Sequence, residues 1–122
     1  MAGLQSAIFN ATRLLQPTKA LVLVEGEFKA VVLEQHGFAA VAIPGANQFK
    51  DKWTRLFQNV ERVYVMLDPG AEPHAWETGV TLSRAGVDTR VCDLPVKPDD
   101  FFTVYNGSPR VFSRYMEQGR SC

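Results

Sequence analysis

The stretch Ala20-Leu21-Val22-Leu23-Val24-Glu25-Gly26-Glu27-Phe28-Lys29-Ala30 decides the fold. Five consecutive apolar residues, two of them β-branched, form a run too short for a helix of useful length. Such a run suits a strand buried on both faces, as in a parallel sheet. It breaks at Glu25-Gly26, and a helical pattern follows to His36, closed by Gly37. The same unit recurs. Ala39 to Ile43 reads as a second strand ended by Pro44-Gly45. Val63 to Leu67 reads as a third, ended by Asp68-Pro69-Gly70.

Between these strands the spacing predicts helices. Asp51 is placed to cap a helix to about Asn59, with Trp53, Leu56, Phe57 and Val60 as its apolar stripe. A further helix is expected from about Glu72 to Ala85, with Pro73 in its first turn and Gly86 at its end. Val87 to Leu94 alternates as a fourth strand nearer a sheet edge. Pro98 begins a short acidic turn, and Pro109 opens a last helix through about Glu117. Ahead of all this, Gly3 to Gln16 carries Leu4, Ile8, Leu14 and Leu15 at helical spacing and ends at Pro17. Strands alternating with helices predict an α/β fold: a four-stranded, mainly parallel sheet with helices on both faces. Residues 1–19 are expected to form a helical lead-in and residues 20–122 one domain.

The bulk composition agrees with a folded chain and narrows its function. Of 122 residues, 46% are hydrophobic and 21% charged, a globular balance. Thirteen basic and thirteen acidic residues cancel, which excludes a protein that coats nucleic acid through a large basic excess. Any nucleic-acid contact is therefore local or shared with a partner. Cys92 and Cys122 form no disulfide framework, and no signal-peptide pattern opens the chain, so a reducing cytoplasmic setting is expected. No apolar run has the length to cross a bilayer, so no membrane partner is expected. His36 and His74 stand too far from any cysteine pair to suggest zinc. The sequence lacks a Walker loop, a dinucleotide fingerprint and a Gly-x-Ser-x-Gly elbow.

In open parallel sheets, ligands bind beyond the carboxyl ends of the strands, so the residues leaving each strand matter most. They are Glu25, then Pro44-Gly45, then Asp68, then Asp93 followed by Lys97, Asp99 and Asp100. Three of four exits supply carboxylates, the hard oxygen donors that Mg²⁺ or Mn²⁺ takes alongside water. The plainer reading makes these acids first-turn residues favoured by helix dipoles. Lys29, one helical turn from Glu25, has two readings: a solvated helix lysine or an internal counter-charge. Two like charges about 4 Å apart repel by roughly 4 kcal/mol at an effective dielectric of 20, so clustered carboxylates demand a cation. Glu72, four residues after Asp68, either adds a carboxylate to the site or is a first-turn acid. Lys50, Lys52 and Arg55 form a basic face that either meets nucleic-acid phosphate or simply faces solvent.

These residues resemble a family. Val24-Glu25-Gly26 leading into a helix is similar to the first motif of Toprim domains, the Rossmann-like acidic metal-site fold of bacterial primases and topoisomerases. Ala42-Ile43-Pro44-Gly45 resembles the second strand and its glycine turn. Val65-Met66-Leu67-Asp68 resembles the strand carrying the family's Asp-x-Asp motif. Leu94-Pro95, Lys97-Pro98-Asp99-Asp100-Phe101 and Gly107 look like the tail motif of DnaG-type primases. The resemblance covers about residues 20 to 116. It implies divalent-metal-dependent nucleotidyl or phosphoryl transfer on nucleic acid, with Glu25 as general acid or base. Asp68 is implied as the principal ligand of Mg²⁺ or Mn²⁺, with Asp99 and Asp100 as secondary metal residues. The implied partners are nucleic acid, nucleoside triphosphates and the other domains of a primase, with Lys97 among the nucleic-acid contacts. A non-catalytic binding module and a small nuclease are the alternative readings. The chain departs from the pattern at four places. Lys29 stands where the family commonly has aspartate, and Gly70 where it has the second aspartate. Glu72-Pro73 replaces an Ala-Gly, and no aspartate precedes Pro98. The metal is therefore expected to bind weakly.

Overall fold

The computed structural model describes residues 7–122. A five-stranded sheet runs through the molecule in the order β2-β1-β3-β4-β5. Its strands are β1 (Thr18–Glu25), β2 (Ala40–Ile43), β3 (Val60–Val65), β4 (Thr89–Val91) and β5 (Arg120–Ser121). The first four are parallel, with Glu25 opposite Ile43, Leu23 opposite Val65, and Val65 opposite Val91. β5 pairs antiparallel with β4 at the edge.

The apolar run of β1 divides by strand alternation. Leu21 and Leu23 face one layer with Val41, Ile43, Val63 and Val65, beneath Trp53, Phe57, Ala75 and Leu82. Val22 and Val24 face the other with Ala40, Ala42 and Met66, beneath Leu33, Phe101, Phe102 and Phe112. All four of these β1 residues are fully buried. A strand flanked by strands and covered on both faces has no position for a polar side chain, which explains the continuous apolar run.

The helices are α1 (Glu27–Gln35), α2 (Glu72–Arg84), α3 (Pro98–Thr103) and α4 (Pro109–Glu117). α2 covers the first face; α1, α3 and α4 cover the second. Proline near the start of α2, α3 and α4 costs no hydrogen bond there, because the first helical N–H groups lack partners. Ser108 caps α4 by accepting from the Val111 N–H.

Several expectations are corrected. The sheet has five strands, because Arg120–Ser121 pairs antiparallel with β4 although it carries no apolar alternation. The expected helix from Asp51 is a 3₁₀ helix, Asp51–Phe57, with Lys50 at the capping position. Of its expected stripe, Leu56 is largely exposed, and Val60 instead begins β3. The acidic turn at Pro98 is the helix α3. Of the opening segment, Gly3 and Leu4 lie outside the described residues. Its later part is a short 3₁₀ helix, Ala11–Leu15, preceded by Phe9 bridged antiparallel to Ala42.

Candidate active site

β1 and β3 are neighbours in the centre of the sheet, so their carboxyl ends open at the same edge. β1 ends on Glu25. The chain leaving β3 stays in the ladder for one more bond, from the Met66 N–H to the Leu23 carbonyl, before Leu67 delivers Asp68. The Asp68 N–H then donates to Glu25 Oε1 at 3.0 Å. The two acids predicted to carry the chemistry are thus joined directly.

Lys29 closes the group. Its Nζ lies 3.4 Å from Asp68 Oδ2, with the two side chains 16% and 20% exposed. Of its two readings the internal counter-charge is the one realised. Gly26 lies beside this pair. Its φ of +91° favours glycine, and an added Cβ there would sit 3.5 Å from Lys29 Nζ. Burial pushes the Asp68 carboxyl upward, the Lys29 ammonium pulls it down and the Glu25 charge pushes it up; the net direction is upward. Lys97 also acts on Asp68 as a nearby positive charge. The other oxygen of Asp68, Oδ1, is buried without a hydrogen-bond partner.

The remaining predicted residues are placed differently. Glu72 turns back on its own turn, its Oε1 accepting from the Gly70 N–H at 3.2 Å. Its own and the Gly70 backbone N–H groups hold this exposed carboxylate below the usual range. Asp99 and Asp100 lie in the first turn of α3, where Asp99 Oδ1 is buried and unpartnered. Asp93 faces Arg120 at 3.5 Å. Lys52, Arg55 and Lys97 are exposed, and Lys50 lies over the Trp53 ring at 5.6 Å. His74 contacts Glu77 at 3.6 Å.

A cleft of about 620 Å³ lies elsewhere, between the amino-terminal segment and α1. Its charged groups answer each other: Glu34 takes a two-point contact from Arg13 and further bonds from Asn10 and the Ala40 N–H. Sequence reading missed this network, because Asn10 and Arg13 lie 24 and 21 residues from Glu34 without a shared motif.

No protein-family profile matches the sequence. Solved structures do match the fold. The primase catalytic core of E. coli is 24% identical and superposes with a TM-score of 0.77, covering 96% of this chain and 40% of that one. The Aquifex aeolicus primase, comprising zinc-binding and RNA polymerase domains, is 20% identical with a TM-score of 0.74, covering 97% of this chain and 31% of that one. The primase fragment of the bacteriophage T7 primase-helicase is 24% identical with a TM-score of 0.68, covering 91% and 48%. The fold is the Toprim fold of DnaG-type primases. Among curated proteins, the Gene 57 protein of Mycobacterium phage D29 is 26% identical over 99 residues. That match covers 81% of this chain and 64% of the phage protein. The Toprim-fold chain therefore spans less than two thirds of that relative, and less than half of each primase structure.

Toprim domains of primases generally use divalent metals. Among the described residues of this one, no three Asp, Glu, His or Cys side chains are placed to hold an ion together. The Glu25 carboxylate does meet the Asp68 backbone N–H, and Asp68 Oδ1 is buried and unpartnered. That donor set suits one Mg²⁺ or Mn²⁺ that keeps most of its water, and does not suit a cage built wholly from protein oxygens.

Proposed function

We propose that this chain is the Toprim part of a primase-like replication protein, contributing Glu25 and Asp68 to nucleotidyl transfer on nucleic acid. The observation that carries this reading is the Glu25–Asp68 junction at the carboxyl edge of the two central strands, in a fold shared with primase cores.

The chemistry follows from the two acids. The Asp68 N–H holds one oxygen of Glu25, which leaves the other oxygen for proton transfer to or from a reacting hydroxyl. Asp68, with Glu25 beside it, would hold Mg²⁺ or Mn²⁺. When bound, such an ion neutralises charge on phosphate oxygens. Asp99 and Asp100, in the first turn of α3, are proposed as secondary acids for the metal. Lys97, Lys50, Lys52 and Arg55 are proposed to meet nucleic-acid phosphate. With zero net charge on the chain, template grip falls mainly to other domains of the intact protein. The catalytic domain of DnaG primase has been solved bound to single-stranded DNA, and T7 primase domains bound to an RNA/DNA hybrid and dTTP. Nucleic acid and nucleoside triphosphates are accordingly the proposed partners. No helix among the described residues is long and apolar enough to cross a membrane, and the proposed setting is the cytoplasm, where replication substrates are.

A second reading, a Toprim-fold module that binds nucleic acid or a partner without catalysis, is favoured by the Lys29–Asp68 ion pair. Labelled ribonucleotide incorporation on single-stranded DNA, with the chain in its full native polypeptide or complex, tests both. Glu25→Gln should lower synthesis by about 10²-fold or more. Template binding without synthesis would favour the second reading. Metal-dependent cleavage in place of synthesis would indicate a nuclease.

A further inference from the structure

We infer that the Lys29 ammonium is a resident cation of the site, occupying the place of a second metal ion, so that a nucleotide phosphate is taken by one divalent ion and one lysine. The inference rests on the reading of Glu25 and Asp68 as a phosphate-chemistry site, and deepens it.

Sites that transfer phosphoryl groups often set two cations about 4 Å apart, one for the attacking and one for the leaving oxygen. A carboxylate bridging two such cations gives one oxygen to each. Asp68 has that division already. Its Oδ2 faces Lys29 Nζ at 3.4 Å, while its Oδ1 is buried without a partner. One oxygen is committed to an ammonium, and one is left without a partner.

The lysine is built in. Its side chain is only 16% exposed, and its head lies over the bend between β1 and α1. Gly26 lies beside that head: a Cβ added there would touch Lys29 Nζ in ordinary contact at 3.5 Å. Among the described residues, no three Asp, Glu, His or Cys side chains gather to hold an ion together. Gly70 supplies no carboxylate, and Glu72 accepts from the Gly70 N–H instead.

The charge count points the same way. Glu25 and Asp68 carry two negative charges and Lys29 one positive, leaving the trio at minus one. A single divalent ion turns this to plus one, which attracts a phosphate. A second would be repelled by both the first ion and the lysine. An ammonium binds phosphate as a point charge and needs no fixed coordination geometry, so it can stand where an ion would.

The test is a Mn²⁺ titration of the full chain followed by electron paramagnetic resonance, which counts free ions. It is paired with equilibrium binding of a nucleoside triphosphate in EDTA. Wild type should bind one Mn²⁺ per chain, lost in Asp68→Ala. Lys29→Asp should tighten Mn²⁺ at least tenfold and admit a second ion. Lys29→Met, folded by circular dichroism, should weaken metal-free triphosphate binding at least tenfold, while Lys29→Arg retains it. A wild-type count other than one would overturn the inference, as would metal-free binding unchanged in Lys29→Met. The wild-type count needs no variant, so misfolding of Lys29→Met leaves the inference open to refutation. Absence of primer synthesis together with a count of one would refute the catalytic reading and leave the role of Lys29 standing.

Discussion

The backbone N–H of Asp68 donates to Glu25 Oε1 across 3.0 Å, tying the turn after the third strand to the residue that ends the first. One side chain therefore serves both the sheet's edge and the proposed chemistry. Glutamine keeps an acceptor oxygen at this place and alanine does not. Glu25→Gln should unfold near the wild-type midpoint while synthesis is lost. Glu25→Ala should cost about 1 kcal/mol or more, the usual result of orphaning a donor. Urea titrations of the two variants make the comparison. Equal midpoints would mean that the bond contributes nothing to stability.

Val65 tests the centre of the sheet. It is fully buried, paired with Leu23 on one side and Val91 on the other. Val65→Ala removes two methyl groups where neighbouring strands cannot collapse inward, so a loss of about 2 to 3 kcal/mol is expected. A denaturation midpoint within error of wild type would contradict a closed core at this position.

Gly79 sets two effects against each other. Alanine in a helix interior is favoured over glycine by about 1 kcal/mol. A Cβ at Gly79, however, would lie 2.5 Å from Cys122 Sγ and 2.9 Å from Val91 Cγ2. Overpacking of this kind costs about 1 to 3 kcal/mol. Gly79→Ala should therefore destabilise, and Cys122→Ala in the same chain should recover part of the loss. A stabilised Gly79→Ala would show that the end of the chain moves aside without cost.

The pH dependence of stability should pass through Glu34. Burial alone would raise its carboxyl. The Arg13 hydrogen bond, the Ala40 N–H, the Arg13 charge and Asn10 outweigh burial, and the net direction is downward. A carboxylate whose folded value lies below its unfolded one stabilises the fold above the unfolded value, about 4.3 for glutamate. That contribution is lost as the pH falls through the folded value. Wild type should thus exceed Glu34→Gln in stability at neutral pH, and the difference should shrink under acid. Melting both proteins from pH 7 to pH 3 measures this, and a gap that widens on acidification would reverse the assignment.

The sequence by itself determined the four parallel strands and the edge at which the acids leave them. Alternation along a strand is local, so Leu21 to Val24 had to be buried on both faces once all four were apolar. In parallel strands all exits then open at one edge, which placed Glu25 and Asp68 at the same edge before any packing was known. Tertiary structure decided which of the candidate acids meet. Placing β3 beside β1 brought Asp68 onto Glu25, while Glu72 found a backbone donor two residues away, in its own turn. It also chose between the two readings of Lys29. A helix lysine follows its own torsions until α1 is packed against the sheet, and only then does its ammonium face Asp68 rather than water. β5 and the Arg13–Glu34 contact were illegible for the same reason: each joins segments far apart in sequence through groups that carry no periodic signal of their own.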